Sequence, residues 1–281
     1  MKYIYKSTEA EQRVQAWCER RLESWTHPHQ RETRETKAGR THLLSAGAGT
    51  DGPTVVFLPG TNFCAASMLA EIEALARTFK VIVPDIPGQP GLSRPFRIDS
   101  APLFFLGAWL SELLGDLATP VVVVGHSLGG GIALAADSPH IAGRVLISPA
   151  GVVRLRLPMA LTWASLRWML GPNAGTSRTV LEHMSAPGAR VDELLISWMT
   201  LVSATNHTSL APRALPRDVL DRAARAPMRI ATGQHDPFLP PEHLSRPDTA
   251  LPPAVAVPDA GHLLTADTTR LIAAWVGGLR S

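Results

Sequence analysis
The stretch Val121-Val-Val-Val-Gly-His-Ser-Leu-Gly-Gly-Gly-Ile-Ala-Leu-Ala-Ala136 decides how the chain folds. Four consecutive valines form a fully apolar run of β-branched side chains, which suit the pleated surface of a strand. No polar residue alternates with them, so the strand is expected to be buried on both faces, as at the centre of a parallel sheet. Gly125-His126-Ser127-Leu128-Gly129 then turns straight into an alanine-rich helix. Gly-x-Ser-x-Gly between a strand and a helix is the pattern of a nucleophile elbow. Its serine stands on a tight, strained turn, and its glycines leave room where larger side chains would meet neighbouring backbone.

Outward from this stretch, strands and helices alternate. Thr54–Leu58, Phe79–Val83, Arg144–Ile147, Met228–Thr232 and Ala254–Val257 read as strands, and Thr41–Ser45 as a short one before them. Ala65–Thr78, Ala101–Leu117 and Thr265–Leu279 have helical period. Ala46–Pro53 is a turn by composition, and Ile86–Arg94 is a loop rich in Pro and Gly. Buried strands alternating with helices predict an α/β fold with a mostly parallel, doubly wound sheet flanked by helices. The alternation stops between Pro149 and Leu215, where the length and the Met and Trp content predict a helical insertion over the strand ends. Residues 8–25 form an amphipathic helix. The polar stretch His27–Arg40, with both charge signs from Arg31 to Arg40, reads as a solvated linker. The expected organisation is an N-terminal helix and linker over 1–39, a core over 40–150 and 216–281, and a helical cap over 151–215.

The bulk numbers set limits. The 281 residues are 45% hydrophobic and 18% charged, as expected of a chain with a sizeable core. The formal charge of +3 is spread along the chain with no basic run, which argues against nucleic acid as a partner. Cys18 and Cys64 are too few for a disulfide framework and lack metal-ligand spacing. Polar residues stand where a signal peptide needs an apolar core. The longest apolar candidate, Leu157–Leu170, is too short for a membrane span and carries Arg167. These features predict a soluble cytoplasmic protein, monomeric or homodimeric.

A serine hydroxyl needs a base within hydrogen-bond reach, a group that orients the base, and donors for an oxyanion. Ser127 has a candidate for each. His262 lies after the last strand and before the last helix, where the base belongs in the chain order Ser, acid, His. Among the other histidines, His27, His29 and His42 precede the expected core sheet. His140 and His243 sit near prolines and polar residues. His183 and His207 lie in the insertion, His126 is inside the elbow, and His235 adjoins the candidate acid. Asp236, in Thr232-Gly-Gln-His-Asp-Pro237, sits at the C-terminal end of a strand, where α/β sheets place functional groups. Asp259 is a rival, but it lies three residues before His262 and suits the turn there. The loop Pro59-Gly60-Thr61-Asn62 can present the Thr61 N–H beside that of Leu128, and two such donors make an oxyanion hole. Asn62, Cys64, Trp163, Met184, Trp198, His207 and Phe238 are candidates for the substrate pocket.

The ordered set Leu58-Pro-Gly-Thr61, Asp85-Ile-Pro-Gly88, Gly125-His-Ser-Leu-Gly-Gly130, Gly233-Gln-His-Asp236 and Ala260-Gly-His262 resembles the α/β-hydrolase superfamily. The likeness covers residues 40–280. Within the superfamily the chain looks like small single-domain carboxylesterases with a helical cap, and Ile147-Ser-Pro-Ala150 fits that group. Pro59 departs from the pattern, since many members carry His there. The resemblance implies Ser127 as nucleophile, His262 as base, Asp236 as acid, and the Thr61 and Leu128 N–H groups as oxyanion donors. It also implies a small-molecule ester substrate and no metal or organic cofactor. The same three residues would serve a thioester, lactone or carbon–carbon bond hydrolase or a cyclase. A ligand receptor that keeps the fold without turnover would not need all three in order.

Overall fold
In the computed structural model of the chain, which describes residues 2–48, 52–97, 101–207, 212–244 and 246–279, the valine run is central strand of an eight-stranded sheet. The strands are β1 (Lys2–Tyr3), β2 (His29–Thr36), β3 (Gly39–Ala46), β4 (Thr54–Leu58), β5 (Val81–Pro84), β6 (Phe96–Arg97), β7 (Val121–His126), β8 (Ile141–Ile147), β9 (Met228–Gly233) and β10 (Val255–Val257). The helices are α1 (Thr8–Glu23), α2 (Leu69–Ala76), α3 (Pro102–Gly115), α4 (Leu128–Ala135), α5 (Met159–Leu170), α6 (Ala174–Met184), α7 (Glu193–Thr205), α8 (Arg217–Ala223) and α9 (Ala266–Gly278). The large sheet runs β10-β9-β8-β7-β4-β5-β3-β2, parallel from β10 to β5 and antiparallel across β5-β3 and β3-β2. β1 and β6 pair antiparallel as a separate ribbon.

Side chains of a strand alternate between faces, and β7 shows why an unbroken apolar run is needed. Val122 and Val124 join the cluster that contains the buried faces of α1, α2 and α9. Val121 and Val123 join the cluster under α3, α4 and α8. Both faces of β7 are therefore dry, and a polar residue on either would lack a partner.

Three expectations are corrected. Residues 29–36, read as part of a solvated linker, form the edge strand β2, paired with β3 from His29↔Ala46 to Thr36↔Gly39. Its mostly exposed, charged residues suit an edge strand, where charges discourage further pairing. His42, expected to precede the sheet, lies buried within β3. The segment expected as one helix over 65–78 splits into a 3₁₀ turn, Ala65–Ser67, and α2. The turn read over 46–53 lies in part outside the described residues.

Three helices, α5, α6 and α7, occupy the stretch where the alternation stops, and pack mainly on one another. The amphipathic N-terminal helix buries Ala10, Val14, Cys18 and Leu22 along one stripe and packs on α7 and on the 3₁₀ turn.

Arg144 of β8 is buried, and among the described residues no carboxylate lies within 4.0 Å of its guanidinium. Its guanidinium donates to the carbonyls of Ala133 (2.9 Å), Ala136 (3.0 Å) and Ala223 (2.9 Å). These carbonyls close the C-terminal ends of α4 and α8, which lack intrahelical donors, so one side chain caps two helices. Burial draws its pKa down to about 10, and it stays charged at neutral pH. Replacing it with Met keeps the apolar stem but leaves three buried carbonyls unpaired. Arg144→Met should lose about 3 kcal/mol in urea unfolding. A loss under about 0.5 kcal/mol, the usual scale of surface substitutions, would show that the caps are dispensable.

Candidate active site
Ser127 stands at φ 50° and ψ −112°, a strained backbone for a residue with a side chain. The turn is held from every side. Ser127 N–H donates to Ile147 O (3.0 Å), and its own carbonyl accepts from Gly131 N–H (3.1 Å) and Ala150 N–H (2.9 Å). Gly129 N–H donates to Pro59 O (3.1 Å). The glycines are forced by space: a Cβ on Gly129 would stand 2.1 Å from Leu58 O, and one on Gly125 2.7 Å from Gly129 C. Close packing of α4 onto β4 and β7 thus keeps the serine on its sharp corner.

The turn places Ser127 Oγ 3.0 Å from His262 Nε2, while His262 Nδ1 lies 2.8 Å from Asp236 Oδ2. A carboxylate only accepts, so the Nδ1–H donates to Asp236 and Nε2 is left to accept from the Ser127 hydroxyl. The other Asp236 oxygen accepts from Phe238 N–H (2.8 Å) and Leu239 N–H (2.9 Å). Burial alone would push the Asp236 carboxyl up. The His262 charge and hydrogen bonds from His262, Ser148 and the Leu239 N–H outweigh it and hold the carboxyl well below the usual range. Asp236 is thus a buried anion fixed on the imidazole. His262 is itself held by its N–H to Met184 O (2.7 Å), at the end of α6.

The loop after β4 faces this group. Neither the Thr61 N–H nor the Leu128 N–H donates a hydrogen bond among the described residues. Asn62 takes the left-handed conformation (φ 68°). Its N–H donates to Gln89 Oε1 (2.9 Å) and its carbonyl accepts from Trp198 Nε1 (2.8 Å). Trp198 of α7 rests on Trp17 of α1, ring centres 4.5 Å apart. Asp85 ties down the following turn, accepting from Ala65 N–H (2.8 Å) and Leu92 N–H (2.9 Å).

The structure brings some expected pocket residues to the site and not others. Asn62 and Trp198 belong to the loop and its brace. Phe238 sets its ring edge-on to His262, 4.8 Å between centres. Met184 meets His262 through its backbone. Cys64 is buried with its Sγ 3.7 Å from Cys18 Sγ, not turned to the serine. Trp163 is corrected: it stands on the outer face of α5, 62% exposed. His207 is corrected too, being exposed, with its N–H on Ile4 O (2.7 Å). The rival Asp259 is exposed in a turn at φ 52°.

Gln89, Trp17 and Ser148 escaped the sequence reading. Ser148, buried at φ 46°, is within 3.2 Å of Thr232 Oγ1, beside Asp236. Its Ile-Ser-Pro-Ala context is the only signal that could have marked it. A cavity of about 260 Å³ lies beside the serine and histidine turns. It is lined by His126 and Gly261 but not by Ser127 or His262, with Phe63, Met68, Leu194 and Leu263 among its apolar walls and Arg21, Glu71, Arg190, Asp192 and Asp259 among its charged ones.

Residues 55–275 match the model of the Alpha/beta hydrolase family. Among solved structures, the naproxen esterase of Bacillus subtilis superposes with a TM-score of 0.78 at 18% identity, over 96% of this chain and 98% of that one. A carboxylesterase from the same organism gives 0.74 at 19%, over 96% and 97%. Likeness at such identities is one of fold. Among curated proteins, the magnesium-chelatase 30 kDa subunit of Rhodobacter capsulatus is 39% identical over 92 residues, 32% of this chain and 32% of that protein. The chain spans about a third of the length of the curated relatives it matches.

His126, beside the serine, has a measurable consequence. Its Nε2–H donates to His262 O (2.8 Å), and Nδ1 has no partner. Burial first, and the His262 charge second, push its pKa down to about 3. The folded pKa is depressed, so the stability is full above the unfolded value near 6.5 and is lost as pH falls toward the folded one. The slope is roughly 1.4 kcal/mol per pH unit. His126→Gln, which keeps a donor for His262 O, should flatten the fall in melting temperature between about pH 6.5 and 4.5. Equal slopes in the two proteins would count against a buried neutral His126.

Proposed function
The chain belongs to the alpha/beta hydrolase family, and on that footing we propose that it hydrolyses a carboxylic ester of a small apolar molecule through an acyl-enzyme on Ser127. The observation that carries this reading is the continuous relay from Ser127 Oγ to His262 Nε2 at 3.0 Å and from His262 Nδ1 to Asp236 at 2.8 Å, on a serine held in a strained turn. The fold likeness to the naproxen esterase and carboxylesterase structures is consistent with ester chemistry.

Ser127 Oγ attacks the carbonyl carbon while His262 Nε2 takes its proton. Positive charge on the imidazole is stabilised by the Asp236 carboxylate, which remains ionised. The carbonyl oxygen, now anionic, is received by the Thr61 and Leu128 N–H groups, and the N-terminus of α4 adds a favourable partial charge. Collapse of the intermediate expels the alcohol, which leaves with the proton from His262. Water, deprotonated by His262, then releases the acid and restores Ser127. No step calls for a metal or organic cofactor.

The apolar part of the 260 Å³ cavity, Phe63, Met68, Leu194 and Leu263, supports an apolar group on the substrate, beside the charged Arg21, Glu71, Arg190, Asp192 and Asp259 that line the rest. Its size suits a small one, since pockets for drug-sized ligands run to roughly 300–1,000 Å³. Residues 151–215 act in this reading as a cap, with Trp198 fixing the oxyanion loop through Asn62 O.

Ser127→Ala should lower kcat for a short activated ester by on the order of 10⁴ to 10⁶, and should no longer react with a fluorophosphonate probe that labels the wild type. Asp236→Asn, which alters the imidazole's hydrogen bonding, should lower kcat by on the order of 10⁴. Near-normal turnover by the Ser127 variant would sink the mechanism. A panel of esters graded by acyl length should favour short apolar groups, and wild-type activity confined to long or charged acyl groups would refute the pocket assignment.

A further inference from the structure
Helix α5 is apolar on two sides. Its inner stripe, Leu161, Ala164 and Trp168, is buried, and Trp168 Nε1–H donates to Met199 O (3.0 Å). Its outer stripe is Met159, Trp163, Leu166 and Leu170, spaced four, three and four apart and so on one side of the helix. Met159 is 78% exposed, Trp163 62% and Leu170 79%. Leu157, just before the helix, is exposed as well. A helix apolar all round belongs in an interior, and contiguous apolar surface of this kind marks an interaction site.

Helix α5 and the segment before it carry charge of one sign, with Glu242 against Arg156 and Glu182 in the concavity that Arg156 rims. Arg154, Arg156 and Arg167 are exposed beside it, and no Asp or Glu occurs between Asp137 and Glu182. Arg156 pairs with Glu242 at 3.2 Å, an exposed pair of small energetic weight. Among the described residues, no carboxylate lies within 4.0 Å of the Arg154 or Arg167 side chains. The four outer side chains offer a single hydrogen-bond donor, the Trp163 indole, and so little with which to fix the register of a protein partner. At 12 residues α5 is too short to cross a bilayer and long enough to lie along one.

We propose that α5 and the preceding Arg154–Pro158 segment form a docking surface for an anionic lipid bilayer. Met159, Trp163, Leu166 and Leu170 enter the boundary between headgroups and acyl chains, and the three arginines meet the anionic headgroups. Trp163 suits that depth, having an apolar ring and one polar N–H. Arg156 and Pro158 also rim the concavity that reaches His235 and Asp236, so docking turns that opening toward the lipid. The inference goes beyond the hydrolase reading and does not rest on it.

The test is co-sedimentation of the full chain with vesicles of phosphatidylcholine alone or mixed with phosphatidylglycerol, at low and high salt. Wild type and Ser127→Ala should both sediment with the mixed vesicles, and less so at high salt. The double variant Trp163→Ser/Leu170→Ser should bind on the order of tenfold or more weakly. Arg154→Gln/Arg167→Gln should lose the preference for the anionic vesicles. All four positions are exposed, so both variants should melt with the wild type. Wild-type protein left in the supernatant, or a Trp163/Leu170 variant that sediments as well as wild type, overturns the proposal. So does light scattering that finds a wild-type dimer which the same variant converts to a monomer, since the face would then meet a second copy of the chain.

Discussion
The strained backbone of Ser127 is the constraint on which the site depends. At φ 50° the turn is unfavourable by itself, by on the order of 1–3 kcal/mol, and persists because the structure around it leaves no alternative. α4 packs so closely on β4 that a Cβ at Gly129 would overlap Leu58 O. The carbonyl of Ser127 is taken by two N–H groups and its N–H by Ile147. Relaxing the serine would mean breaking these hydrogen bonds and separating helix from sheet. The same close contact brings the Leu128 N–H into line with the loop after β4. One packing requirement thus sets the nucleophile candidate and one proposed oxyanion donor together.

The loop that offers the other donor is shaped from a distance. Its Asn62 is held by Gln89 on one side and Trp198 on the other, and its following turn by Asp85. Trp198 is backed by Trp17 of the N-terminal helix, and Cys18 of that helix lies against Cys64 just past the loop. A helix far from the serine in sequence therefore becomes part of the support of its surroundings. Tying the loop from several elements fixes where the Thr61 N–H points, which is what electrostatic stabilisation of an oxyanion would demand.

Buried ionisable groups are answered in different ways. Asp236 is kept ionised by His262 and by N–H groups. Arg144 is kept charged while it caps two helices, its guanidinium answered by three carbonyls and helped by the Asp137 charge. His126 is kept neutral, because burial outweighs the pull of the Asp236 carboxylate and of the one carbonyl its ring meets. Each choice follows from which partner the fold presents, since an unanswered charge in such a place costs several kcal/mol.

Much of this was legible in the sequence. The valine run and the glycines around Ser127 determined the buried strand, the sharp turn and the helix, because those features depend on local side-chain volume and branching. The order Ser127, Asp236, His262, each at the end of a strand, determined which residues could meet, because parallel strands put their C-terminal ends on one edge. The tertiary structure alone decided the rest. Residues 29–36 look like a linker, and form a strand only because β3 offers an edge for pairing. Trp163 and Trp198 look alike as pocket residues. One faces outward and the other braces Asn62, since helix packing, not composition, sets which side of a helix is covered. Gln89 and Trp17 carry no motif that marks them. Their positions arise from contacts between distant segments, which a sequence read along its length does not contain.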